Sequence, residues 1–544
     1  MTSILSALLA GAVALAGTGG GAPASRPRLV VVLAVDQLRA DLLIRYQEAF
    51  RGGLRRLHEE GFRFDEAMVD HAPTLSIPGH TTIATGAYPR THGFTASSFW
   101  RRGPDGQIDE FFCFDDPEAK VVGGAGHRGM SPRAMKATGL ADWITGADPR
   151  ARSLSIAYGT GLAILYGGRS TGRNPNAHTY WYEPDTTGFV TSDWYRDSLP
   201  EWIVRYDRER LPGYLARKEW DLSVPPRWRG LAEPDAQAFE GDGVHTAFPH
   251  RFQDSLQPGV DSSARARRWA FETPAEVEML FDLAARGVES LDLGGDEVTD
   301  FLAVGITVTD RTGHDYGPQS LEQLDVLLAL DRELGRFLDL LDRRIGPDGY
   351  VLVLTADHGA PNIAEDDAAK GAPGYRITKA EMQALLGRVG KLVHEHRGPP
   401  DELPDLIKAE LEQASFIERA MTEKELRGTG PADPVLEVYR HSYGNGNISN
   451  FPLWGATDPE VHPATFGVVA ELAEGAQLWT ARSTHAGAHL HDRLVPIVFL
   501  GGGIPPGISN APARTVDIAP TLARLAGLST PATVDGRPLP LTSP

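Results

Sequence analysis

The run RLVVVLAVD, residues 28–36, limits the possible folds more than any other stretch of this chain. It is continuously apolar and rich in β-branched residues, the character of a strand buried on both faces, as in a parallel sheet. Three further runs share it: DFLAVGITVTD (300–310), GYVLVLTADHG (349–359) and LVPIVFLGG (494–502). A fifth, ARSLSIAYG (151–159), is weaker. Amphipathic helical stretches lie between them. The clearest covers residues 320–346, where Leu321, Leu324, Leu327, Leu328, Leu334, Phe337 and Leu341 recur at helical spacing and Gly346 supplies a stop. Alternating strands and helices predict an α/β fold, a mostly parallel central sheet with helices on both faces.

The chain has 544 residues, ample for a sizeable core, and large α/β enzymes often run to this length as one body. Residues 25–544 are expected to form a single domain. Two stretches do not fit the core pattern and read as insertions capping the sheet. One lies near 170–290 and is rich in Trp, Tyr and Pro; the other lies near 361–480, with charged helical segments and the piece HSYGNGNISNF. The first 24 residues read as a signal peptide: the apolar run Ile4 to Ala16 is too short to span a bilayer, and Ala22-Pro23-Ala24 is a small-residue cleavage pattern. Its n-region lacks Lys and Arg, and a plain Ala/Gly leader is the alternative. The mature protein is expected to be soluble, periplasmic or secreted, with no transmembrane segment.

A formal charge of −19 without a block of basic residues argues against a nucleic-acid backbone binder. A small anionic substrate remains compatible, because a bound metal supplies local positive charge. The only cysteine is Cys113, so an intrachain disulfide and a cysteine-based zinc site are both excluded, and any metal must be held by His, Asp and Glu.

Three apolar runs lead into an aspartate: Asp36, Asp310 and Asp357. In open α/β sheets ligands bind beyond the carboxyl ends of the strands. Each acid alone could merely cap the next helix. Together they come with histidines: TDRTGH places His314 four residues after Asp310, TADHG places His358 beside Asp357, and THAGAHLHD offers His485, His489 and His491. Carboxylates and imidazoles suit zinc. Six protein ligands would make two metal sites roughly 4 Å apart, the separation found in two-metal phosphoryl-transfer enzymes.

These residues carry a resemblance. The sequence is similar to the alkaline phosphatase superfamily, in the branch of type I phosphodiesterases/nucleotide pyrophosphatases, and within it to the phosphate-irrepressible periplasmic alkaline phosphatases. The matching runs include VVVLAVDQLRAD, PTLSIPGHTTIATGAYPRTHGF, TDFLAVGITVTDRTGHDYGPQSLE, YVLVLTADHGA and THAGAHLHDRLVPIVF, and they span nearly the whole mature chain. The resemblance implies an alkaline phosphatase-like fold and two Zn2+ ions. Asp310, His314 and His485 would hold one, and Asp36, Asp357 and His358 the other. His489 and His491 are minor alternatives to His485. Ser76, four residues before His80, would be both nucleophile and metal ligand, passing through a phosphoseryl intermediate. Close relatives usually have threonine there.

The pattern breaks at the phosphate grip. The family's asparagine falls on Ser97, the candidate substrate-binding residue here, and its Lys-x-Arg pair falls on Gly159 and Gly161. Each such contact is worth roughly 1.5–3 kcal/mol. Arg101, Arg102, Arg311, Thr160 and Ser98 are nearby candidates to replace them. The expected function is a zinc-dependent phosphate-ester hydrolase of the alkaline phosphatase type, on a small phosphorylated substrate; the alternative is a phosphodiesterase. A sulfatase is disfavoured because Ser76-Ile77-Pro78-Gly79-His80 lacks the arginine of the C/S-x-P-x-R motif. In a degraded, non-enzymatic binding protein, Trp181, Tyr182, Trp194 and Trp202 could hold a carbohydrate or lipid group; their plainer role is packing. His394-Glu395-His396 reads as a solvated helix face. The sequence leaves the oligomeric state open.

Overall fold

Strand β1 (Leu29–Val35) is buried at every position, and its side chains alternate between two cores. Leu29, Val31, Leu33 and Val35 enter one; Val30, Val32 and Ala34 enter the other. This alternation follows from the two-residue period of a strand and requires cover on both faces. The computed structural model describes residues 26–102, 108–124, 128–169, 174–182, 186–241, 243–256, 261–444 and 467–542. The proposed leader and residues 445–451 of the Gly/Asn-rich piece lie outside them.

Among the described residues the sheet has ten strands. After β1 come β2 (Phe62–Phe64), β3 (Val121–Val122), β4 (Ser153–Tyr158), β5 (Ala177–Tyr182) and β6 (Phe189–Ser192). They are followed by β7 (Asp300–Ile306), β8 (Tyr350–Thr355), β9 (Ile497–Gly501) and β10 (Gly507–Ser509). Their spatial order is β10-β2-β9-β8-β1-β7-β4-β5-β6-β3. The five central strands, β8, β1, β7, β4 and β5, are parallel. Strand β9 is antiparallel to β8, which corrects the expectation of a parallel strand at 494–502. An apolar run reports burial on both faces and is silent on direction.

One face is covered by α2 (Ala275–Ser290) and α4 (Leu321–Arg344), the other by α1 (Ser76–Thr85) and α7 (Ile518–Leu525). Helix α4 starts where expected, at Ser320, whose hydroxyl accepts the Gln323 amide N–H. Between α2 and α4 lies α3 (Val308–Tyr316), directly after β7.

The reading of 170–290 as one capping insertion is also corrected. Residues 177–192 supply two sheet strands, and α2 packs in the main core. Strand β5, AHTYWY, packs aromatic instead of β-branched side chains on the pleat and is fully buried. Trp181 and Tyr182 are core residues, and Trp194 and Trp202 pack against the cores, as the packing alternative holds. Residues 375–422 and 468–479 carry a small core of their own. Helices α5 (Lys379–Glu395) and α6 (Leu403–Leu411) cover strand pairs 375–377/476–478 and 417–422/468–472.

Candidate active site

Strands β8, β1 and β7 are adjacent and parallel, so their carboxyl ends open side by side. Asp36 follows β1 directly, and Asp357 comes two residues after β8. Asp310 does not end a strand, contrary to expectation: β7 stops at Ile306, and Asp310 stands in the first turn of α3. The four-residue spacing then puts Asp310 and His314 on one helical face, with His314 Nε2 3.3 Å from Asp310 Oδ1.

Two groups of ligand atoms converge, each within 4.8 Å: Asp310, His314 and His485, and Asp36, Asp357 and His358. They abut, with the His358 and His485 rings stacked 3.7 Å apart between centroids. His485 Nε2 is 3.6 Å from Asp310 Oδ1. His489 instead faces Glu471 and the Leu472 carbonyl, and His491 faces Asp492. His394 and Glu395 are exposed at the end of α5, and His396 bonds the Pro399 carbonyl.

The donor set fits cations. His314 Nδ1 donates to the Ser483 carbonyl at 2.6 Å, His485 Nδ1 to Thr74 at 2.7 Å and His358 Nδ1 to Gly359 at 3.0 Å. Each bond fixes the tautomer and leaves a bare Nε2 facing carboxylate oxygen. His358 Nε2 lies 3.1 Å from Asp357 Oδ2 and 3.5 Å from Asp36 Oδ1. Acceptors turned on acceptors at this range need positive charge between them. The titration tendencies agree: burial pushes Asp36 and Asp357 well above the usual carboxylate range, aided by neighbouring carboxylates. Burial also lowers His358 well below the usual imidazole value. Burial would raise Asp310 too, but His314 and His485 outweigh it and hold it low; Asp310 in turn raises His485 to about 9 against its burial, so that without a cation a proton takes the place between them.

Ser76 is the first residue of α1. Its Oγ lies 3.2 Å from His358 Nε2 and 3.5 Å from Asp36 Oδ1. Gly79 allows this approach: a Cβ there would fall 2.5 Å from the Asp357 carbonyl oxygen. Gln37 is a site residue that sequence reasoning missed. Its Nε2 donates to Asp310 Oδ1 at 2.6 Å and its backbone N–H to Asp357 Oδ1 at 3.1 Å, so it ties the two groups together.

The grip positions differ from one another. Ser97 is exposed, and its carbonyl accepts the Cys113 N–H. Gly159 has φ 79° and ψ 149°, close to a region that essentially only glycine occupies. At Gly161 an added Cβ would meet Ile77 Cδ1 at 2.6 Å, so Ile77 fills that space. Arg311 is exposed and paired with Asp315 at 2.8 Å; Ser98 is half-buried. The side chains of Arg101, Arg102 and Thr160 lie outside the described set. A cavity of about 540 Å³ opens beside His314 and His485, with Leu75, Leu472 and Asp492 among its walls.

Comparison with known proteins places this geometry. Alkaline phosphatase PhoV of Synechococcus elongatus is 28% identical over 539 residues, covering 93% of this chain and 91% of that protein. Alkaline phosphatase PafA of Elizabethkingia meningoseptica is 26% identical over 539 residues, 94% of each chain. The crystal structure of PafA superposes with a TM-score of 0.81 at 25% identity, covering 96% of this chain and 99% of that one. A PafA variant with Thr changed to Ser, and an Asn, a Lys and an Arg each changed to Ala, superposes equally well. Residues 30–390 match the pattern of type I phosphodiesterase / nucleotide pyrophosphatase, and the chain belongs to that family.

Proposed function

We propose that this protein is a two-zinc phosphoric ester hydrolase of the alkaline phosphatase type, with Ser76 as its nucleophile. The observation that carries the reading is the placing of Ser76 Oγ at the start of α1, against Asp36 and His358 of one ligand group, with the second group alongside. Whole-length relatives named alkaline phosphatases support it. Asp310, His314 and His485 would hold one zinc, and Asp36, Asp357 and His358 the other. When bound, the ions supply positive charge that acidifies the Ser76 hydroxyl and offsets charge on the phosphoryl oxygens.

The chain's own groups do the rest. The Ser76 hydroxyl sits at the positive end of the α1 dipole, which favours an anion there. It gives up its proton to solvent as its oxygen attacks phosphorus in line; the seryl O–P bond forms as the ester O–P bond breaks, and the leaving alkoxide takes a proton from water. The alcohol departs on the side of His314 and His485, where the cavity has room for its organic part. Water then displaces the seryl oxygen and frees the phosphate. Export to the periplasm or beyond, after loss of residues 1–24, belongs to the same reading. Among the described residues no helix is long and apolar enough to cross a membrane.

The test is turnover of p-nitrophenyl phosphate, its methyl or phenyl diester and its sulfate, with zinc added. The wild type is expected to hydrolyse a phosphate ester, and Ser76→Ala to lose on the order of 10^4-fold or more. Unchanged turnover by Ser76→Ala would refute the nucleophile. Well under two zinc ions per chain would refute the metal centre.

A second reading, preference for diesters, rests on the grip positions. Gly159 holds a backbone shape hostile to a lysine, and Ile77 occupies the space a side chain at 161 would need. A diester carries one less charge than a monoester dianion and depends less on such contacts. This reading expects kcat/KM for the phenyl diester to match or exceed that for the monoester, and a large monoester preference overturns it.

A further inference from the structure

We propose that His80 is a positioning residue for the Asp36/Asp357/His358 group, its imidazole N–H spanning Asp36 Oδ2 and Asp357 Oδ2 while Tyr166 holds the opposite nitrogen. The proposal rests on the two-metal reading of that group. His80 lies one helical turn after Ser76 and is fully buried. Its Nε2 is 3.3 Å from Asp357 Oδ2 and 3.5 Å from Asp36 Oδ2. Its Nδ1 is 3.0 Å from the Tyr166 hydroxyl oxygen.

The tautomer follows from these partners. The three ligand histidines bind a backbone carbonyl through Nδ1, which must then carry the proton. His80 instead meets a hydroxyl, which can donate. With Tyr166 O–H donating to Nδ1, the ring carries its proton on Nε2 and aims it at the carboxylates. Asp357 Oδ2 and His80 Nε2 are both buried without a hydrogen bond of full geometry, and His358 Nε2, 3.1 Å from the same oxygen, carries no proton, so His80 supplies the donor that Asp357 Oδ2 lacks. The result is a donor between two acids that adds no charge to a site reserved for cations. It leaves Asp36 Oδ1 turned toward Ser76 and His358. Partners that orient metal ligands in this way are typically worth about 10–100-fold in metal affinity.

Zinc affinities measured by competition with a chromophoric chelator test this, alongside zinc content and thermal unfolding of the metal-free proteins. The wild type is expected to bind two ions. His80→Ala is expected to weaken one of them by about 10–100-fold and leave the other unchanged. Tyr166→Phe should weaken the same ion by less. His80→Gln, whose amide keeps a donor, should recover part of the loss. If His80→Ala folds and binds both ions as the wild type does, the proposal is overturned. If His80→Ala does not fold, Tyr166→Phe decides: one weakened ion supports the proposal, and two unchanged affinities overturn it. A wild type that binds no zinc fails earlier, at the metal centre itself, and is thereby distinguishable.

Discussion

At Gln37 the backbone takes φ 61°, a left-handed conformation that costs a non-glycine residue about 1 kcal/mol or more. The turn sends the backbone N–H to Asp357 and the side chain to Asp310, whose partners otherwise belong to different ligand groups. Helix α3 makes room for it: a Cβ at Gly313 would lie 1.8 Å from Gln37 Oε1. Gln37→Ala removes the donor that fixes Asp310. We expect about a tenfold or greater loss of kcat/KM at limiting zinc, reduced at saturating zinc, in p-nitrophenyl phosphate assays over a zinc titration. A loss that zinc does not relieve would mean that Gln37 acts elsewhere. Gln37 and His80 share a reason for being illegible in the sequence. Asp36 and Asp357 are announced by the apolar runs that end in them, whereas a glutamine after a strand and a histidine inside a helix break no pattern. Gln37 meets its partner Asp310 across 273 residues, and spacing carries no information at that range.

Elements position these residues through a few close approaches. Helix α1 lies so near the end of β8 that a Cβ at Gly79 would meet Asp357 backbone and side-chain atoms at 2.5–3.0 Å. Gly79→Ala should therefore cost about 1–3 kcal/mol in urea unfolding and displace Ser76, lowering activity more than stability. The start of α3 is held differently. Glu276, buried on α2, accepts the Thr307 N–H at 2.7 Å and the Thr307 hydroxyl at 3.0 Å, just before the helix that carries Asp310 and His314. Burial pushes its carboxyl up to about 8. Because the unfolded value is about 4.3, the folded chain holds this proton more tightly. The contribution to stability is full below the unfolded value and is lost as pH rises toward about 8. Glu276→Gln keeps an acceptor and cannot titrate. Between about pH 5 and about pH 9 it should lose less stability than the wild type, by on the order of a few kcal/mol in urea unfolding. Equal losses would refute the buried-proton account. The sheet that organises these elements was largely legible, because β1, β7, β8 and β9 declare themselves by apolar runs. Strand β5 was hidden by its aromatic sequence and β6 by its length of four residues, and the direction of β9 is a property of connectivity.

Across the whole molecule, the ligand groups join segments that are otherwise remote. Asp36 follows β1, Ser76 opens α1, Asp310 and His314 ride on α3, Asp357 and His358 follow β8, and His485 comes after the cap strands. The loop bearing His485 is strained at its next residue, since Ala486 has φ 136°. It is held by the Gly487 and Ala488 backbone N–H groups, which donate to the Asp492 and Glu471 carboxylates at 2.8 and 2.9 Å. In a chain of net charge −19, the buried Asp36 and Asp357 carboxylates disfavour charge until cations are present. Cation binding should therefore stabilise the whole fold, in proportion to the logarithm of free zinc above its dissociation constant. The gain reaches about 4 kcal/mol at a thousandfold excess. Chelator-treated protein should unfold at a lower temperature, and graded zinc should restore the transition. Asp357→Asn should flatten the response to zinc by weakening one ion, and should raise the metal-free transition, because burial and the neighbouring Asp36 disfavour the charged Asp357 carboxylate. Those opposite signs in one variant separate a metal centre from a structural ion-pair network, in which losing the Asp357 charge would lower the transition with and without zinc.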